Sequence, residues 1–139
     1  MSQDLDKLAT FLAAARLDEV AAEDLDHSRL VIADCIAAMV AGSLEPEITA
    51  LASHPTTPGP ASVLGTSLRT TPERAAFLNG TAGTVLEVDE GHRFCRGHPG
   101  IHVLPAALAY AEGQGKSGAE LLLAVLLGYE VAVRVGRAA

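Results

Sequence analysis

Two stretches of this chain, Leu30–Gly42 (LVIADCIAAMVAG) and Glu120–Ala139 (ELLLAVLLGYEVAVRVGRAA), are apolar on nearly every side of a helical wheel. A helix with a single apolar stripe can lie on a surface, whereas one that is apolar all round needs neighbours on every face. Two such segments leave a chain of 139 residues few choices, because other helices have to enclose them. The material for that is small: apolar residues reach 49%, but aromatics are 4% and tryptophan is absent. Ala, Leu and Val let helix backbones approach closely, so the expected fold is an all-α helical bundle within one domain, residues 1–139. The apolar helix surface also exceeds what 139 residues can cover, and the periodicity still runs at Ala139. The chain is therefore expected to be a fragment of something larger.

Taken in order, Leu5, Leu8, Phe11, Leu12 and Ala15 predict an amphipathic helix over 4–16. A second runs from about Ala21 to Ser43, with Gly42 as its stop, and Glu47–Ser53 adds a short one. The segment HPTTPGPASVLGTSLRTTP is mostly loop, with a brief extended piece at Ala61–Leu64. Thr70-Thr71-Pro72-Glu73 opens a helix that runs to Glu87, and Ala76, Gly80 and Gly83 thin one of its faces for a neighbouring helix. Another helix is expected from about Val103 to Gly113. Ser117-Gly118-Ala119-Glu120 is a capping box that launches the last one, on which Glu130 and Arg134 stand four apart and pair.

Charge and composition remove several function classes. Seventeen acids against 10 bases give −7, with no basic run or aromatic platform, so no nucleic-acid partner is expected. Cys35 and Cys95 make neither a disulfide framework nor a CxxC pair. MSQDLDKLATF lacks the order of a signal peptide, and the uncharged stretch before Arg69 is broken by Pro55, Pro58 and Pro60. No membrane span is expected, and the expected setting is the cytoplasm.

Chemistry-bearing residues crowd into Asn79–Pro105, NGTAGTVLEVDEGHRFCRGHPGIHVLP. It holds His92, His98, His102, Glu87, Asp89, Glu90, Arg93, Arg96 and Cys95. Three readings of these residues are open. One is a metal site on the three histidines and the acids; Pro99 and Gly100 argue against a helix that would bring His98 and His102 to one ion. The second is metal-free acid–base chemistry, with imidazole moving a proton near neutral pH and Arg93 and Arg96 holding an anionic substrate. The third is a solvated surface loop.

Several linked stretches then resemble one family. ASVLGT, PERAAFLNGTA, EVDEGH, HPG followed by VLPAALA, and GAELLLAVLLGYEVAVRVGRA occur in the order found in the N-terminal part of the MmgE/PrpD family. That family includes 2-methylcitrate dehydratase, cis-aconitate decarboxylase and iminodisuccinate epimerase. The resemblance implies a helical domain completed by an α/β lid, with the active site in the cleft between them. It also implies homodimers that act on small di- or tricarboxylic acids with no metal and no cofactor. The family's acidic motif commonly reads DFDDTH. Glu87 stands in place of its first Asp, Asp89 and His92 match, Glu90 replaces an Asp, and Gly91 replaces a Thr that contacts substrate. His98 matches the active-site histidine, and Thr84 stands where many members have His.

The resulting expectation is a cofactor-independent lyase or isomerase working by proton transfer next to a carboxylate. His98, Glu87, His92 and Asp89 are its expected catalytic residues, and Gly91, Arg93 and Arg96 its substrate-binding residues. Loss of the Thr hydroxyl at Gly91 implies a substrate preference other than that of an orthodox 2-methylcitrate dehydratase. The chain supplies part of the site and is expected to be inactive alone. The alternative is a non-catalytic helical interaction module, or a truncated and inactive family member.

Overall fold

A computed structural model describes residues 3–138, so the last position of the expected terminal helix, Ala139, lies outside it. The elements are α1 (Gln3–Ala14), a 3-10 turn at Leu17–Glu19, α2 (Ala22–Gly42), α3 (Pro46–Ala52), β1 (Ala61–Ser62), β2 (Arg69–Thr70), α4 (Pro72–Thr84), α5 (Pro99–Gly113) and α6 (Gly118–Ala138). The fold is all-α, with one two-stranded antiparallel ribbon that pairs Ala61 with Thr70 and Ser62 with Arg69.

The helix starts follow local chemistry. A helix leaves its first N–H groups without internal partners, which favours proline in the first turn or an oxygen acceptor before it. Pro46, Pro72 and Pro99 each open a helix. Thr71 caps α4, its side-chain oxygen accepting from the Arg74 N–H at 3.4 Å. Ser117 Oγ accepts from the Glu120 N–H at 3.2 Å, while Glu120 Oε2 accepts from the Ser117 N–H at 2.8 Å. That reciprocal box, together with Lys116, holds the Glu120 carboxyl down at about 2. The expected Glu130–Arg134 pair forms on α6.

Two apolar clusters hold the helices together. Val31, Cys35 and Met39 of α2 meet Ile101 and Leu104 of α5 and Val125 of α6. Ala61, Val63, Ala75, Leu78 and Ala109 form the second, where the ribbon lies across α4 and α5. Buried Asn79 ties the ribbon down: its Oδ1 accepts from the Leu64 N–H at 2.8 Å and its Nδ2 donates to the Ser62 carbonyl at 2.9 Å. Glu112 of α5 accepts from both the N–H and the hydroxyl of Ser62, at 2.6 and 2.7 Å.

The structure corrects two boundaries, and both matter for the loop between α4 and α5. Helix α4 ends at Thr84 rather than Glu87, because Glu87 takes a left-handed backbone with φ 54° that no α-helix continues. Helix α5 begins at Pro99, four residues before the expected Val103. Pro99 and Gly100 act as its first two positions instead of as breakers, and Glu90 Oε2 accepts from the free Gly100 N–H at 2.9 Å. The enclosure expected for the apolar helices is incomplete within the described residues. Leu30 of α2 is 68% exposed and Val135 of α6 59%, and α1 has no buried residue. No described helix is long and apolar enough to cross a membrane.

Candidate active site

The turn Asp89–Glu90 and the N-terminus of α5 meet side by side, and His98 is the residue that caps that helix by position. Its Nδ1 lies 3.1 Å from Asp89 Oδ2. The Asp89 side chain is only 3% exposed, and neither of the two contacting atoms reaches solvent or has an aligned hydrogen bond among the described residues. The His98 side chain nevertheless keeps 43% of its surface exposed. With Nδ1 turned inward on the carboxylate, Nε2 is the nitrogen left to exchange a proton with a ligand.

The electrostatics follow from that placement. The Asp89 charge is the main influence on His98 and raises the imidazole above its ordinary value; burial opposes it. The backbone carbonyls of Asp89 and Glu90 and the charge of Glu87 add to the upward shift. A raised imidazole carries more of the protonated form near neutral pH, which suits it to giving a proton.

The loop is held from behind by three helices. Glu90 Oε2 accepts from Gly100 on α5, and Glu90 Oε1 accepts from the Tyr129 hydroxyl of α6 at 2.5 Å. Gly100 has no room for a side chain: a Cβ there would stand 2.8 Å from Glu90 Oε2, Cys35 Sγ and Val31 Cγ1. Cys35, buried beside these acids, has its thiol pushed up to about 12, mainly by burial. Farther along, a Cβ on Gly136 of α6 would meet Cys95 Cβ at 2.7 Å, so that glycine seats the loop.

The other expected site residues spread out. His92 closes a tight turn, its N–H donating to the Gly97 carbonyl at 2.8 Å. Its half-buried ring packs near Phe94 and Tyr129, with centroids 5.8 and 5.9 Å away, and takes the Cys95 N–H on Nδ1. It faces a hollow of about 580 Å³ lined also by residues of α1, α2 and α6. Those contacts tie His92 to α6 rather than to the Asp89–His98 pair. Glu87 is exposed and near enough for its charge to act on His98. A Cβ on Gly91 would lie 3.9 Å from His98 Cε1, so that position borders the ring directly and leaves it uncrowded. Arg93 and Arg96 are exposed; Arg93 lies 5.7 Å from the Phe94 ring centre and Arg96 has a left-handed backbone, φ 52°.

His102 sits on the first turns of α5 and lines a groove with Phe77, Gly80 and Thr84 of α4. Contrary to the expectation that no helix joins His98 to His102, the intervening Pro99 and Gly100 are helical. His98 itself remains outside the helical conformation, with φ −117° and ψ 69°. Among the described residues no group of three His, Cys, Asp or Glu side chains is placed to hold one metal ion.

Sequence reasoning passed over the supporting role of Glu90 and Tyr129. Tyr129 carried a usable signal, because a phenol in an otherwise apolar helix needs a partner for its hydroxyl. Which acid would supply that partner, 39 residues away, depends on the packing of α6 against the loop.

The profile of the MmgE/PrpD N-terminal domain matches residues 6–139. A cis-aconitate decarboxylase-like protein of Aspergillus oryzae is 32% identical over 142 residues, covering 95% of this chain and 30% of that protein. Cis-aconitate decarboxylase of Aspergillus terreus is 31% identical over 130 residues, covering 87% of this chain and 26% of its own length. The chain thus spans less than a third of these relatives. No solved structure matches it significantly. With the profile matched across nearly the whole chain, and with the loop of EVDEGH and HPG folded into one acid–imidazole pair, the chain belongs to the MmgE/PrpD family.

Proposed function

We propose that the full-length protein is a lyase acting on a small di- or tricarboxylic acid, with decarboxylation of cis-aconitate as its leading reaction. The observation that carries this reading is the buried Asp89 carboxylate on His98 Nδ1, which leaves the opposite edge of a raised imidazole open. The names of the two relatives favour decarboxylation among the reactions open to the family.

Decarboxylation breaks the bond between a skeleton carbon and one carboxylate. Carbon dioxide leaves, the bonding electron pair stays on the skeleton, and one proton is added to the skeleton to quench it. His98, protonated and oriented by Asp89, supplies that proton from Nε2 and recovers it from water afterwards. Asp89 works as the orienter of the ring and stabiliser of its charged form. Glu87 adds negative charge at a greater distance, and Arg93 and Arg96 bind the carboxylates that remain. His92 holds the turn that displays them. Gly91 leaves room beside the ring for a substrate carboxylate. This chain supplies one wall of the site, the rest of the protein the other, and the active form is a homodimer in the cytoplasm. No metal or cofactor takes part.

The test is product analysis with full-length protein supplied with cis-aconitate and, separately, 2-methylcitrate. The expected result is carbon dioxide release from cis-aconitate at a rate above that of water loss from 2-methylcitrate. A folded full-length protein that turns over neither acid would contradict the proposal.

A further inference from the structure

We propose that Tyr129 and Glu90 form a clamp that positions His98, and so set the catalytic competence of a residue neither of them touches with a side chain. The inference rests on the acid–base reading of His98 given above.

Glu90 directly follows Asp89 in the chain, and Gly100 lies two residues beyond His98. The hydrogen bond from the Gly100 N–H to Glu90 Oε2, at 2.9 Å, therefore ties together the same two backbone segments that carry the Asp89–His98 contact. The tie has little slack. A Cβ on Gly100 would already be 2.8 Å from Glu90 Oε2, so the carboxylate lies flat against the start of α5. Its second oxygen accepts from the Tyr129 hydroxyl at 2.5 Å, which fixes the carboxylate's rotation from the side of α6. Burial first, and then the hydrogen bond to Glu90, raise the Tyr129 phenol above its ordinary value, so it stays a neutral donor over the working pH range. Three elements thus converge on one carboxylate that has no part in the proton transfer itself.

The charged and titrating groups acting on His98 are Asp89, chiefly, and Glu87; from Glu90 the influence on the ring comes through its backbone carbonyl. This separates position from charge. If Glu90 acts by holding the backbone, an uncharged side chain of the same shape will serve in its place. Glutamine can accept from Gly100 and meet Tyr129 with its amide.

The experiment uses full-length protein, with the His98 ring followed by NMR titration and turnover of cis-aconitate measured across pH. Tyr129→Phe removes one oxygen while keeping the ring that packs against the loop. It is expected to lower the titration midpoint of His98 toward that of a free imidazole and to cut turnover by about ten- to a hundredfold. Glu90→Ala does the same, whereas Glu90→Gln keeps both values near those of the parent. Ser117→Ala, which weakens the start of α6 without touching the loop, leaves the midpoint unchanged and so serves as a control for mere loss of stability. A folded Tyr129→Phe with the parental midpoint and turnover would overturn the clamp. Full turnover in His98→Gln would instead overturn the reading beneath it.

Discussion

Replacing His98 with glutamine in the full-length protein is expected to lower turnover by about a hundredfold or more while leaving the fold intact. The fold should survive because His98 makes no side-chain cap bond to α5 and its ring is partly in solvent. Proline at the next position opens the helix without help. Glutamine keeps polarity near Asp89 but cannot deliver a proton at neutral pH. The loss should therefore appear in kcat more than in KM. The pH dependence has a definite sign. The folded-state imidazole is raised, so the stabilisation from its charged form is complete below the unfolded value of about 6.5 and is lost as pH rises through the folded value. Turnover that depends on the imidazolium should decline along that same alkaline limb. Circular dichroism and a pH–rate profile of parent and variant check both halves.

The largest effect on stability is expected at Gly42. The sequence marks this residue as a helix stop, and it is indeed the last residue of α2, but its contacts reveal a second task. A Cβ placed there would stand 1.9 Å from the Ala82 carbonyl oxygen and 2.9 Å from both Ala82 C and Val85 Cγ1. The obstacle is the backbone of α4, which cannot swing aside as a side chain can. Helices α2 and α4 would have to separate, and α4 leads straight into the loop that bears Glu87 and Asp89. Gly42→Ala should cost about 3 kcal/mol or more, a large share of the stability of an ordinary domain. A fall in melting temperature of about 10 °C is the matching observable. Gly80, on the expected thin face of α4, is the contrast. Its nearest neighbour to a new Cβ is Pro105 Cγ at 3.7 Å, so Gly80→Ala should be neutral or slightly stabilising. Thermal melts of the two variants side by side would decide the point.

Much of the helical scaffold is readable from local chemistry. Thr71 with Pro72, Ser117 with Glu120, and the apolar runs of α2 and α6 announce their elements, because caps and periodicity act over a few residues. The same locality explains the failures. Pro99 and Gly100 look like breakers until Glu90, ten residues back, supplies the acceptor that lets a helix start there. Glu87 looks like a further helical residue until the turn after Thr84 forces it left-handed. The glycines show the limit most plainly. Gly42, Gly83 and Gly80 share one residue type, yet the first meets backbone, the second the movable end of Ile101 at 2.3 Å, and the third open space out to 3.7 Å. Only the packing of distinct helices distinguishes them.

For the site, the motif singled out Asp89 and His98, which lie 3.1 Å apart in the structure. It could not sort the remaining residues. His92 and Glu90 stand beside the pair in sequence, yet both turn toward α6, one packing on Tyr129 and the other accepting its hydroxyl. Alternation of residues on a short irregular loop has no period to read. Their orientation comes from what lies behind the loop, chiefly Tyr129 and Gly136 of α6.

The proposed chemistry turns on control of His98 protonation by the Asp89 carboxylate. Titrating the His98 ring by NMR in the parent and in Asp89→Asn measures it directly. A midpoint above that of a free imidazole is expected in the parent and a fall toward that value in the variant, because the largest charge acting on the ring is removed. A parental midpoint at the free-imidazole value, or one that Asp89→Asn leaves in place, would contradict it.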